Sequence, residues 1–133
     1  MITIYYANKD LNLNFGGTTY TPPATWYLGL SLTDPGYSGS AVSEPTDPSY
    51  ARVAVTNNHS NFSVSTAGSL VINVDVVFPE SSVPQGTITD LLFWNASSGS
   101  NLCYYQPLPS PRSVSGSSIM RFLANSITVS QAP

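Results

Sequence analysis

Reactive side chains are sparse in this chain. Its one histidine, His59, lies in TNNHSNF, a stretch that reads as a hairpin loop. A Ser-His-Asp set would need His59 as the base, but no GxSxG elbow accompanies it, so a solvent-facing loop histidine is expected. A glycosidase pair needs two carboxylates across a cleft. Asp75 and Asp90 are the candidates because both fall in strand-like runs, although strand carboxylates ordinarily meet water or an arginine. The seven acidic residues are scattered, with no DxDxDG-like loop to take a metal. Cys103, in NLCYYQPL, is the only cysteine, which excludes an internal disulfide and a cysteine-based zinc site; it reads as a small buried hydrophobe. GxGxxG and P-loop motifs are absent. The expectation is no catalytic residue, no cofactor and no metal, and so no enzyme.

The most informative charge is Arg52, in EPTDPSYARVAV. The chain has only four basic residues, Lys9, Arg52, Arg112 and Arg121, and this one interrupts a strand-like alternation. Period two places Tyr50, Arg52, Ala54 and Thr56 on one face and Ala51, Val53 and Val55 on the other. A guanidinium there can bridge carboxylates or loop carbonyls in a fixed fork, with Glu44, Asp47 and Asp90 as the available acids. Arg52, Glu44 and Asp47 are therefore expected to organise the loop before the strand; the alternative is an arginine reaching a neighbouring subunit.

The elements that must position these residues follow from the pattern of the 133-residue chain, which has length for one domain. Alternation in twos, broken every eight to twelve or so residues by Gly, Pro, Asn or Ser, indicates an all-β chain, an antiparallel, jelly-roll-like β-sandwich. TWYLGLSL aligns Trp26, Leu28, Leu30 and Leu32, and SLVINVDVVF aligns Leu70, Ile72, Val74, Val76 and Phe78. Further strands are expected near residues 50–56, 61–66, 87–95, 101–108 and 119–129, the last bent where its apolar phase slips. Asp34 to Ser49 reads as one long contact loop. Residues 1–23 are taken as an N-terminal arm and lead-in and 24–133 as the sandwich, with LNLNF at 11–15 read as strand or extended arm rather than helix.

Charged residues make up 8% of the chain, and Ser, Thr and Asn roughly a third. A net charge of -3 without a basic cluster argues against nucleic acid as a partner. The apolar runs are strand-sized, which argues against a membrane, and MITIYYANKD lacks the pattern of a secretory signal, so synthesis in a cytoplasm is expected. Tyrosine and tryptophan suit interfaces because they join a large rigid area to a polar tip. Trp26 and Trp94 are assigned to the core or its rim. Tyr37 in the long loop, and Ile2, Ile4, Tyr5 and Tyr6 on the arm, are the expected partner contacts.

The ordered series FGGTTYTPPATWYLGLSLTDP, SEPTDPSYARVAV, GTITDLLFWNASSGSNLCYYQPL and FLANSITVS covers nearly the whole chain. It resembles a family of small tailed-bacteriophage virion proteins labelled as tail-fibre or head-decoration proteins. The resemblance implies a β-sandwich with a structural virion role and brings no catalytic residues. The family pattern suggests a short N-terminal helix where this chain alternates as LNLNF. The leading expectation is a capsid decoration (cement) protein on the capsid surface of the virion, forming a homo-oligomer, a trimer, and clamping the major capsid protein. The alternative is a tail-fibre or receptor-binding module that stacks host glycan on Tyr37 and Trp94.

Overall fold

The computed structural model describes residues 1–131. In chain order the elements are α1 (Ile4–Asn14), β1 (Thr25–Ser31), β2 (Val53–Thr56), β3 (Ser69–Val71), β4 (Val76–Val77), β5 (Gly86–Trp94), β6 (Leu102–Val114), β7 (Arg121–Phe122) and β8 (Thr128–Ser130). TWYLGLSL supplies β1, one of the two inner strands of an antiparallel four-stranded sheet ordered β2-β1-β5-β6. The second layer is two antiparallel ribbons, β3 with β8 and β4 with β7. Leu28, Leu30, Leu91 and Phe93 from the sheet meet Ile72, Val76, Phe78 and Phe122 from the ribbons in one core, which makes the fold an all-β sandwich. Each such side chain contributes on the order of 2 kcal/mol by leaving water.

The run SLVINVDVVF keeps the expected face inward but not as one strand. Ile72, Val76 and Phe78 are buried, while the ladder breaks at residues 73–75. Its two halves pair with different partners, and the last expected strand splits correspondingly into β7 and β8. Residues 61–66 form no strand, only isolated bridges from Phe62 to Ile72 and from Thr66 to Ser69. β6 instead runs on to Val114 despite Pro107, Pro109 and Pro111. It can do so because Asp90 pairs with Pro107 and Ile88 with Arg112, so that residues 108–111 bulge opposite Thr89 alone. A bulge on a peripheral strand tolerates residues that cannot donate to a ladder.

The N-terminal expectation is corrected. LNLNF is not extended: residues 4–14 form α1, the short helix that the family pattern suggested. Alternation alone does not make a strand without a partner or a buried face, and Leu11 and Leu13 have neither. The helix is docked through Tyr6 and Asp10, one turn apart on a shared face. Tyr6 packs edge-on against Tyr20, Trp26 and Tyr104, and Asp10 accepts hydrogen bonds from Tyr20 Oη at 2.6 Å and Gln131 Nε2 at 2.8 Å. Ahead of the helix, residues 1–3 extend along the free edge of β6: Thr3 N–H donates to the Cys103 carbonyl, and Tyr105 N–H to that of Met1.

Candidate functional site

β2 accompanies β1 only from Thr25 to Leu28, which leaves the rest of that edge of β1 to the long loop. Leu30 N–H donates to Tyr50 Oη at 2.9 Å, and Leu32 N–H to the Ser43 carbonyl at 2.8 Å, so loop groups replace the missing ladder. Tyr50 Oη in turn donates to Glu44 Oε1 at 2.7 Å. Burial, and then the Glu44 carboxylate, raise this hydroxyl well above the usual phenol range.

Glu44 is held by Arg52 in a two-point fork, Nε to Oε1 at 3.0 Å and Nη2 to Oε2 at 2.8 Å. Arg52 Nη1 donates to the carbonyls of Ala96 and Gly99, at 2.8 and 3.0 Å, and the guanidinium lies 3.8 Å from the centre of the Trp94 ring. The Arg52 side chain is 6% exposed. Gly29 makes this convergence possible, since a Cβ there would stand 2.8 Å from both Glu44 Oε1 and Tyr50 Oη. Only the Trp94 indole N–H, beside Gly29, finds no partner in the cluster.

Of the three acids considered for Arg52, the structure brings only Glu44 to it. Asp47 organises a different stretch, accepting hydrogen bonds from Ser49, Ser82 and Gln85 and so tying the loop to residues 82–85. Burial alone would raise its pKa; the donors from Ser82, Gln85 and Ser49 outweigh burial and hold the carboxyl well below the usual range. Asp90 is buried on the outer face of the sheet, where burial raises its pKa; Thr89 donates to one carboxylate oxygen and the other has no partner. Asp75 is exposed in the ribbon layer, its Oδ1 accepting from Ala124 N–H. The two strand acids thus lie in different layers and do not form a pair. His59 is exposed, with Nδ1 3.1 Å from the Phe62 carbonyl. Cys103 is fully buried, which pushes its thiol up to about 12.

The expected contact residues separate into two groups. Tyr6 is in the core, and Ile2 is half-buried in its bridge to Tyr104, so neither presents a free surface. Tyr5 is half-buried beneath Lys9. Ile4 and Tyr37 do reach the surface side by side, since Ile4 N–H donates to the Tyr37 carbonyl and satisfies one of the free donors at the start of α1. Trp94, sealed under Arg52, offers no face to a sugar.

A pocket of about 510 Å³ opens elsewhere, between α1, the 57–62 turn and the end of β8. Tyr6, Tyr20, Trp26, Phe62, Phe93 and Tyr104 form its walls. Asn57, Asn58, His59 and Gln131 also line it. Sequence reasoning missed this site because its residues come from six separate stretches of chain. The one available signal was the number of aromatic residues, which does not say which of them share a cavity.

No curated protein matches the sequence. A family model does, that of Gp80, described as podophage GP4 fiber I protein gp80, and it spans residues 1–130. The chain belongs to that family of phage structural fibre proteins.

Proposed function

We propose that the protein is a fibre subunit of the virion that acts by binding, with no reaction of its own, and that it joins its neighbours through the outer face of α1. The observation that carries this reading is an uncovered apolar stripe. Ile4 and Leu11, at i and i+7, share one side of the helix, and Phe15 follows its last turn; the three are 44%, 55% and 80% exposed. Tyr37, 57% exposed, stands beside its N-terminal end. Apolar side chains concentrated on a surface this poor in charge favour association by shape and burial over ion pairing. The partner proposed is a second copy of the chain, in a symmetric homo-oligomer such as a trimer. The fibre reading is preferred to capsid decoration because the matched family is described by a fibre protein.

Immunogold labelling of intact particles, together with mass photometry of the purified protein, tests both parts. The expected result is label on the fibres, an oligomer for the wild type, and a monomer for Leu11→Ser/Phe15→Ser. Label spread over the capsid faces would replace this reading with the decoration one. A wild-type monomer would remove the stripe as a self-contact.

A further inference from the structure

We propose that the aromatic pocket is a binding site for one unit of a neutral saccharide. Among the described residues, the hydroxyl of Tyr104 and the indole N–H of Trp26 have no hydrogen-bond partner in the chain and neither is sealed away, and both side chains line the same cavity; the Tyr6 hydroxyl beside them is paired with that of Tyr20. A hydroxyl and an indole N–H that open onto a cavity without a partner in the chain are free to pair with a ligand. The volume, about 510 Å³, falls within the usual range for small-molecule sites of roughly 300–1,000 Å³.

The chemistry of the lining selects the occupant. Ring faces suit the C–H faces of a pyranose, and the two unpartnered groups, with Asn57, Asn58 and Gln131 beside them, suit its ring of hydroxyls. An apolar peptide side chain would fill the space but leave those donors unpaired, at about 1–3 kcal/mol each. No Lys or Arg lines the cavity, so an acidic sugar or a phosphate would enter without a counter-charge. The site does not depend on where the subunit sits on the particle, and the α1 stripe and the pocket can fail independently.

The test is titration of the full chain with the methyl glycosides of glucose, galactose, mannose and N-acetylglucosamine, followed by the two indole N–H signals in ¹H–¹⁵N NMR. At least one glycoside should move the Trp26 signal and leave Trp94, sealed under Arg52, in place. Tyr104→Phe should weaken that glycoside about fivefold, the worth of one hydrogen bond, with the melting temperature maintained. This variant removes only an unpartnered hydroxyl, so a lost affinity with an unchanged melting temperature cannot be a loss of fold. The proposal is overturned if no glycoside moves Trp26, if Tyr104→Phe binds as the wild type does, or if N-acetyl-leucinamide moves Trp26 more strongly than every glycoside.

Discussion

The Arg52 cluster and the aromatic pocket are built from the same kinds of side chain, and they come to opposite ends. In the first, Arg52 uses four of its five N–H donors within the chain, Tyr50 both donates and accepts, and Trp94 is covered. In the second, the Tyr104 hydroxyl and the Trp26 indole N–H face a cavity without partners among the described residues. The lesson is that aromatic content alone does not separate structure from recognition. What separates them is closure: Trp94 is sealed under Arg52 even though its N–H has no partner, whereas the Trp26 and Tyr104 tips open onto a cavity.

The largest consequence concerns Arg52. Arg52→Ala leaves Glu44 and two loop carbonyls without their donor and uncovers Trp94, so the loss should be about 3–5 kcal/mol. For a domain of this size that lowers the melting temperature by roughly 10–20 °C, measurable by calorimetry. Arg52→Lys should recover little, because an ammonium cannot hold the fork, both carbonyls and the ring at once. The pocket should be insensitive to either change, and an Arg52→Ala protein that melts within a degree or two of wild type would erase the contrast between the two regions.

Gly29→Ala should come next, at about 1–3 kcal/mol, since its Cβ would press on groups that Arg52 and Leu30 hold in place. In the Arg52→Ala background those groups can move aside, and the same substitution should cost clearly less. Denaturant midpoints of the two single variants and the double variant measure that coupling; strict additivity would mean that Gly29 acts on something other than the cluster.

How much of this was legible in the sequence depends on the range of the contact. Arg52 and Glu44 are eight residues apart, and the rarity of basic residues made a loop-holding arginine readable, though not which of Glu44, Asp47 and Asp90 it meets. The inward faces of β1 and of residues 70–78 were readable too, because period two reports burial locally. Where the ladder breaks at residues 73–75 was not, since the break reflects which ribbon each half joins. The helical state of LNLNF was hidden by its alternation, and it is decided by Tyr6 meeting Tyr20, Trp26 and Tyr104. The pocket was least legible of all, being assembled wholly from such distant contacts.

Asp47, which ties the long loop to residues 82–85 apart from the Arg52 cluster, has a pH signature of its own. Its folded pKa lies below the unfolded value of about 4, so the stability it supplies is complete above that pH and is lost as pH falls through the folded value. Asp90 runs the other way: burial raises its pKa, and its contribution, fully present below the unfolded value, is lost as pH rises through the folded one. Asp47→Asn should therefore flatten or reverse the acid limb of a urea-midpoint curve between about pH 2 and 5. An acid limb as steep as that of the wild type would place the acid sensitivity in other carboxylates.

The finest test removes one atom from each region. Tyr50→Phe deletes a hydroxyl that joins Leu30 N–H to Glu44, and it should cost about 1–2 kcal/mol because a backbone donor near the core loses its acceptor. Tyr104→Phe deletes a hydroxyl that joins nothing within the described chain, so the change should stay within about 0.5 kcal/mol and can fall on the stabilising side, since Phe has no polar tip to leave unpaired. Both rings keep their packing, Tyr50 stacked on Phe78 and Tyr104 against Tyr6 and Trp26, so the two substitutions differ only in what the oxygen was doing. Equal losses in paired thermal melts would mean that the Tyr104 oxygen is satisfied after all, and the pocket would then be as closed as the cluster around Arg52.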